Sequence, residues 1–163
     1  MTVVAVIADT HLPRGTRRLP DECVRRCEAA ELILHLGDVV AAAVLDELSE
    51  LGRLEAVSGN MDEPALRARL PQRRVVEVDG RRIGMVHSAG PRTGREARLT
   101  GWFPGCAAVL YGHTHVPQVE QHQGVWILNP GSPTERRRAP ERTMLELRIE
   151  GDEVSPELIS LGA

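Results

Sequence analysis

The sequence predicts an α/β fold with mixed β-sheets. Strand and helix patterns alternate through roughly the first seventy residues, which is typical of parallel strands joined by crossover helices. An Asp79-Gly80 turn signal between two β-rich runs then introduces antiparallel strands. Because the chain has 163 residues, it is expected to form one domain over residues 1–163.

The first half contains three short apolar runs, each ending abruptly in polar residues as a buried strand does before a loop. Asp21 is a cap candidate ahead of good helix formers, Gly52 closes a second helix, and Pro64 fits the first turn of a third. The predicted strands are Val3–Ala8, Leu32–Leu36 and Leu54–Val57, and the predicted helices are Asp21–Ala30, Ala41–Leu51 and Pro64–Leu70.

The second half contains hairpin signals and one further helix pattern. Turn residues at Asp79-Gly80, His122-Gln123-Gly124 and Gly151-Asp152 each join two β-rich runs. The aromatic residues Trp102 and Phe103 are expected to pack beneath a loop, with a pocket wall as the alternative. The predicted strands are Arg74–Val78, Arg81–His87, Ala107–Tyr111, Gln118–Gln121, Val125–Leu128, Arg142–Ile149 and Val154–Ile159, and the helix is Arg92–Leu99.

Composition argues against membranes and nucleic acids as partners. The formal charge is −3 although all 20 basic residues are arginine, so no net basic surface is expected. No apolar run approaches the roughly 18 residues that a membrane span needs. Cys23 and Cys27 lack the second pair that a metal site would require, so reduced, packed thiols are expected. These observations predict a cytoplasmic protein.

Polar residues with metal-binding groups follow five of the predicted strands. The carboxyl ends of parallel strands meet at one edge of a sheet, where α/β folds build their sites. A glycine precedes Asp38, Asn60 and His113, which fits a backbone that must turn sharply off each strand. The candidate metal ligands are Asp9, His11, Asp38, Asn60, His87, His113 and His115.

Each of these motifs alone is more often a loop cap or a turn than a ligand. The ordered set favours a metal centre, because all five motifs stand at strand ends and all supply metal-competent groups. Carboxylate, imidazole and amide donors without thiolates suit ions of intermediate hardness, such as manganese, iron or zinc. A bridging carboxylate can hold two such ions about 3.5–4 Å apart, which suits an in-line displacement at phosphorus.

The order Asp9-x-His11, Gly37-Asp38, Gly59-Asn60, His87 and Gly112-His113-x-His115 resembles that of the calcineurin-like metallophosphoesterase superfamily. Three phrases are similar to its small single-domain phosphodiesterase branch, the YfcE type: Ile7-Ala8-Asp9-Thr10-His11, Leu34-His35-Leu36-Gly37-Asp38 and Leu128-Asn129-Pro130-Gly131-Ser132-Pro133. The resemblance implies a four-layer αββα sandwich of two mixed β-sheets flanked by helices.

The resemblance also implies a site assignment. Asp9, His11, Asp38 and His115 would hold one ion and Asp38, Asn60, His87 and His113 the other, with Asp38 bridging. It implies a phosphoester hydrolase, of phosphodiesterase type, in which a hydroxide bridging two ions attacks phosphorus in line. The catalytic groups would be Asp38, Asn60 and His87. The cofactors implied are two divalent ions, with manganese as first choice and iron, zinc, nickel and cobalt as alternatives.

The sequence departs from the family pattern at two places. Many relatives have a histidine after the asparagine, whereas Met61 occupies that position here, and methionine cannot donate a proton. Relatives usually have a His-Gly pair where this chain has His87-Ser88. Asp62 and His35 are expected to support the ligands rather than bind metal, with a turn residue and a core residue as the respective alternatives.

The alternative function is a protein-binding scaffold of the same fold, as in the retromer subunit that resembles these phosphodiesterases and has a degraded metal site. All seven ligand types are present in this chain, which favours the enzyme. A single-metal hydrolase or nuclease would share much of the ligand set, but a nucleic-acid groove is disfavoured by the acidic balance and the 2% aromatic content. The expected partner is a small phosphoester substrate, and homo-oligomer formation is left open.

Overall fold

Two five-stranded mixed β-sheets form the centre of the structure. The computed structural model describes residues 1–13 and 18–163. The strands are β1 (Thr2–Ile7), β2 (Leu32–His35), β3 (Leu54–Ala56), β4 (Arg73–Val78), β5 (Arg81–Val86), β6 (Ala108–Tyr111), β7 (Gln118–His122), β8 (Val125–Asn129), β9 (Thr143–Glu150) and β10 (Glu153–Ser160). The helices are α1 (Asp21–Ala29), α2 (Ala42–Ser49), α3 (Pro64–Arg69) and α4 (Arg95–Trp102).

The first sheet has the strand order β10-β9-β1-β2-β3. Its strands β1, β2 and β3 are parallel, and β9 runs antiparallel to both β1 and β10. In this register Ile7 pairs with His35, and His35 pairs with Ala56. The three parallel strands therefore end level with one another, and the loops that follow them start at the same edge.

The second sheet has the order β4-β5-β6-β8-β7, with β5, β6 and β8 parallel and the two edge strands antiparallel. Val86 at the end of β5 pairs with Tyr111 at the end of β6. The residues that follow these two strands, from His87 and from Gly112, therefore begin side by side.

Alternation along the strands builds four layers. In β1, Val4 and Val6 face the core between the two sheets, whereas Ala5 and Ile7 face the buried residues of α1, α2 and α3. On the outer side of the second sheet, Leu99 of α4 packs in a separate cluster. The layers are helices, sheet, sheet and helix, so the predicted αββα sandwich is confirmed.

The element boundaries differ from the sequence prediction mainly at α4. The helix begins at Arg95 instead of Arg92, because Gly94 adopts a φ of 74°, which a right-handed helix cannot contain. It continues to Trp102, which is partly buried at the end of the helix and lines a pocket, the alternative position given for it in the sequence analysis. Phe103 is buried against the second sheet, where it contacts Gly84.

The three cysteines are free and buried, as the sequence predicted. Cys23 and Cys27 lie on the face of α1 that packs on the first sheet. Within residues 1–13 and 18–163, no helix combines the length and apolar character needed to cross a bilayer.

The contact between Gly84 and Phe103 predicts the effect of a single methyl group. A Cβ at Gly84 would lie 2.5 Å from Phe103 Cγ, so Gly84→Ala forces the ring or the strand to shift. We expect it to lower the free energy of unfolding by about 1–3 kcal/mol in urea titrations. Gly101→Ala is the matched control, because its new methyl group would meet open space on α4. Equal stability of the two variants would contradict this packing.

Candidate metal centre

The seven predicted ligands all lie in loops that leave the carboxyl ends of strands. In the first sheet, Asp9 and His11 follow β1, Asp38 follows β2 and Asn60 follows β3. In the second sheet, His87 follows β5, and His113 and His115 follow β6. The loops of the two sheets touch: the His113 amide donates a hydrogen bond to Asp9 Oδ2 over 2.9 Å.

The ligand atoms gather into two groups. Asp9, His11 and His115 each offer an atom within 4.8 Å of the others, and Asp38, His87 and His113 form a second such group. Asn60 lies in the second group, with its Oδ1 3.0 Å from His87 Nε2 and 3.2 Å from His113 Nδ1. The structure thus brings together all seven side chains that the sequence singled out.

Asp38 lies between the two groups. Its Oδ2 is 3.3 Å from His87 Nε2 and 3.4 Å from His11 Nε2, so one carboxylate oxygen is near a histidine of each group. Its other oxygen, Oδ1, accepts a hydrogen bond from the amide of Met61 over 2.8 Å. This backbone contact orients the Asp38 carboxylate and was not foreseen from the sequence.

Five of the seven residues have an uncommon backbone conformation. The φ angles are 55° for Asp9, 48° for His11, 60° for Asp38, 73° for His113 and 63° for His115. Left-handed conformations are rare outside glycine, and where they cluster the surrounding structure must hold them in place. Such positions cluster at functional sites in proteins, and here five of them lie among the candidate ligands.

The glycines that precede Asp38 and Asn60 are required for two different structural reasons. Gly37 has a φ of 97°, so it makes the sharp turn that was predicted. Gly59 has no positive φ but lies against Asp38, and a Cβ there would collide with that carboxylate and with the backbone amide of Asp38. The second glycine therefore allows the β2 and β3 loops to approach each other.

Second hydrogen bonds fix the orientation of two imidazole rings. His87 Nδ1 is 2.7 Å from the carbonyl oxygen of Leu36, and His115 Nδ1 is 2.7 Å from that of Glu135. A ring whose Nδ1–H donates to a carbonyl presents the lone pair of Nε2, which is the atom facing Asp38 in His87 and Asp9 in His115.

Burial and the neighbouring charges together shift the pKa values of the site. Burial raises the pKa of Asp9 to about 7, and the charge of Asp38 acts in the same direction, whereas His87 opposes both. Burial also lowers the pKa of His115 to about 4, so this imidazole is neutral near pH 7, the form that binds metals. For His87 burial is outweighed by the Asp38 hydrogen bond and by both carboxylate charges, which raise its pKa.

Asp62 and His35 contact the loops that carry the candidate ligands. The buried Asp62 carboxylate accepts hydrogen bonds from the amides of Val40 and Gly59, each over 2.7 Å, and so ties the β2 loop to the β3 loop. His35 is fully buried, and its Nδ1 accepts a hydrogen bond from the Gly37 amide over 3.1 Å. Neither side chain belongs to the two ligand groups.

Two hydroxyl groups that sequence reasoning had not singled out also support the site. Ser132 Oγ donates to the carbonyl oxygen of Asp9 over 2.9 Å, and Thr134 Oγ1 donates to that of Thr10 over 2.7 Å. Ser132 belongs to the Asn129-Pro130-Gly131-Ser132-Pro133 turn, and Thr134 follows it directly. The family-like phrase was a signal for Ser132, whereas Thr134 lies just beyond it and had none, since a threonine is not distinctive in a loop.

The site fits divalent cations. Two ligand atoms at about 2.0–2.2 Å from one ion lie roughly 3.0–3.6 Å apart, close to the separations of 3.0 to 3.9 Å found among the donors here. Within the described residues, the buried atoms Asp9 Oδ1 and His115 Nε2 have no hydrogen-bond partner. These two atoms lie 3.6 Å apart and are both suited to a shared cation.

Comparison with known proteins identifies the family. Residues 1–152 match the calcineurin-like phosphoesterase superfamily domain, and the chain belongs to this family, as the sequence predicted. It is 34% identical over 163 residues to a probable metallophosphoesterase of Methanothermobacter thermautotrophicus, with 99% of this chain and 94% of that protein covered.

Solved structures share this fold. The solution NMR structure of a Thermotoga maritima protein superposes with a TM-score of 0.76 at 31% identity and covers 98% of this chain and 99% of that one. The crystal structure of Vps29 from Entamoeba histolytica complexed with Zn²⁺ gives a TM-score of 0.76 at 23% identity, with 98% and 99% covered. This second likeness shows a shared fold alone.

The two ligand groups predict the metal stoichiometry. We expect metal-stripped protein to bind two Mn²⁺ ions per chain in equilibrium dialysis with elemental analysis. His115→Ala should leave one ion bound at a concentration that fills both positions in the unaltered protein, because it removes a ligand from only one group. The control is His122→Ala, on strand β7. Binding of a single ion by the unaltered protein would contradict the two-group geometry.

Proposed function

We propose that this protein is a metal-dependent phosphodiesterase that hydrolyses a small phosphoester in a single step without a covalent intermediate. The observation that carries the proposal is the convergence of the seven donors into two groups joined by Asp38. Asp9, His11, Asp38 and His115 would hold one ion, and Asp38, Asn60, His87 and His113 the other. Manganese is the first metal to test, followed by iron, zinc, nickel and cobalt.

When bound, two divalent ions supply an activated hydroxide and neutralise the charge that develops on the phosphoryl oxygens during in-line displacement. The protein itself fixes the positions of the side chains that would bind the ions. The Leu36 and Glu135 carbonyl oxygens hold the rings of His87 and His115, and the Met61 amide holds the Asp38 carboxylate. Because these contacts exist within the fold, the donors need little reorganisation on binding.

The residue after Asn60 supports a diester with a good leaving group as substrate. Met61 is 55% exposed, so its side chain stands at the surface beside the centre, where a histidine in many relatives could donate a proton. A thioether cannot protonate a departing alkoxide. The chain is therefore better suited to esters whose leaving group departs as a stable anion than to alkyl monoesters.

The second candidate function is a protein-binding scaffold, and the likeness to Vps29 is the observation that favours it. That likeness is one of fold. The seven candidate ligands are all present, and five of them have a left-handed backbone conformation. This favours the enzyme, since a scaffold has no need to keep five such positions around metal donors. A hydrolysis panel of aryl and alkyl esters with re-supplied metal separates the two functions.

The three buried thiols support the proposal of a cytoplasmic location.

Asp38 is predicted to be the least replaceable ligand. Asp38→Asn removes the charge shared by the two groups, so kcat/KM for an aryl diester should fall by several orders of magnitude and further than for His115→Ala. The measurement requires metal content to be determined for each variant. The matched control is Asp46→Asn, the same change at an aspartate on α2 that pairs with Arg69. Turnover by Asp38→Asn like that of the unaltered protein would contradict the bridging assignment.

Rates are predicted to depend steeply on the leaving group. General acid help is typically worth about 10²–10⁴-fold, and the residue directly after Asn60 in this chain is Met61, which has no proton to donate. Across a series of substituted phenyl diesters, log kcat/KM should therefore rise as the leaving-group pKa falls, and bis(4-nitrophenyl) phosphate should be cleaved much faster than an alkyl monoester.

Met61→His tests the cause of this dependence. An imidazole that reaches the leaving oxygen should reduce the slope, whereas Met61→Leu, which keeps an apolar side chain, should leave it unchanged. A slope near zero in the unaltered protein, with chemistry shown to be rate-limiting, would refute the interpretation.

A further inference from the structure

A pocket of about 390 Å³ opens directly beside the candidate metal centre. Asn60 and His87, two ligands of the second group, line one side of it. The rest of its wall includes Arg67, Arg73, Ser88 and Trp102, which belong to four separate segments of the chain. A molecule bound at the metal centre could therefore extend into this pocket.

The fold places both arginines next to the ligands. Arg73 is the first residue of β4 and pairs with Val86, the residue before His87. Arg67 lies on α3, which follows the Asn60 loop, and the chain after α3 is held against that loop by a hydrogen bond of 2.9 Å from the Ser58 amide to the Pro71 carbonyl oxygen. Backbone hydrogen bonds therefore hold the segments that carry Arg67 and Arg73 beside the loops that carry Asn60 and His87.

The charge of the pocket wall is positive and uncompensated. The neighbouring arginines are paired, Arg69 with Asp46 and Arg74 with Glu55. By contrast, neither Arg67 nor Arg73 has a carboxylate within 4.0 Å among residues 1–13 and 18–163, and no acidic residue lines the pocket.

Arg73 is held in place by an aromatic ring. Its guanidinium carbon lies 3.9 Å from the centroid of the Trp102 ring, a cation–π contact. A stacked guanidinium uses its face for the contact, so the N–H groups around its rim are available for paired hydrogen bonds to an anion such as a phosphate. Ser88 adds a hydroxyl to the same wall at the position where this sequence departs from the usual His-Gly pair.

We propose that this pocket, which we name the Arg67/Arg73 pocket, binds a second phosphate group carried by the substrate. The inference rests on the proposed function and narrows its substrate class to phosphoesters with a further phosphate on one ester arm. The metal centre would take the scissile phosphodiester, which is a monoanion, and the two arginines would meet the second phosphate, which as a monoester approaches a dianion near pH 7. A simple diester has no group to match them.

The test compares inhibitors that differ by one charged group. Alkylphosphonates and α,ω-bisphosphonates with three to six methylene groups are assayed as competitive inhibitors of aryl diester hydrolysis, with metal ion in excess over inhibitor so that chelation does not mimic inhibition. Two identical ends alone give a bisphosphonate about a twofold statistical advantage. We expect the best-fitting bisphosphonate to bind at least about tenfold more tightly than its monophosphonate, the gain from one charge-assisted hydrogen bond.

Variants assign the preference to the pocket. Arg73→Gln and Arg67→Gln should each lower the ratio of inhibition constants towards two, and the exposed Arg67 tests the inference even if Arg73→Gln fails to fold. The matched control is Arg69→Ala on the same helix, whose arginine pairs with Asp46 outside the pocket wall and which should keep the ratio.

The outcomes separate the two proposals. Hydrolysis with a ratio of two or less at every chain length, or an unchanged ratio in both glutamine variants, overturns the inference and leaves the phosphodiesterase intact. Absence of hydrolysis of every ester with every metal overturns the proposed function and the inference with it. A preference that disappears in the glutamine variants and persists in Arg69→Ala supports the inference.

Discussion

The burial of two aspartates side by side is the constraint on which the rest of the site depends. Asp9 and Asp38 are almost inaccessible to solvent, and charges withdrawn from water must be compensated within the protein. The amides of His113 and Met61 compensate one oxygen of each carboxylate, and imidazoles surround the others. The raised pKa of Asp9 shows that this compensation is incomplete, which is the electrostatic condition a cation relieves.

The left-handed residues in the ligand loops are supported by both sheets. A left-handed aspartate or histidine costs of order 1 kcal/mol or more unless its surroundings fix it, so five such residues need firm support. The aligned ends of β1, β2 and β3 provide it on one side and those of β5 and β6 on the other. Ser132 and Thr134, after β8, complete it by holding the carbonyl oxygens of Asp9 and Thr10. The two sheets thus cooperate in positioning the donors, so metal ions held by them would stabilise the fold across both sheets.

The sequence predicted much of the fold, because buried strands such as β2 and β6 are apolar runs that stop at polar residues. The seven donors could be named for the same reason, since each follows a strand end. The start of α4 could not be predicted from the sequence, because it depends on the backbone angle of Gly94. The Arg67/Arg73 pocket was equally hidden: it arises from the pairing of Arg73 with Val86 and from the stacking on Trp102, two contacts between distant segments that no local pattern records.

Met61 illustrates how such a site can change its chemistry without changing its structure. The contribution of this residue to the centre is its amide, which donates to Asp38, whereas its exposed side chain is not part of any buried cluster. Any residue other than proline keeps that amide, so the side chain after Asn60 is free to vary. Under the proposed function, the absence of a proton donor there would restrict the esters that can be cleaved, and the arginines of the Arg67/Arg73 pocket would be a separate means of selecting among them. Under that proposal, reactivity and substrate choice would depend on exposed side chains beside the centre, whereas the buried donors would hold the metal ions whichever ester is bound.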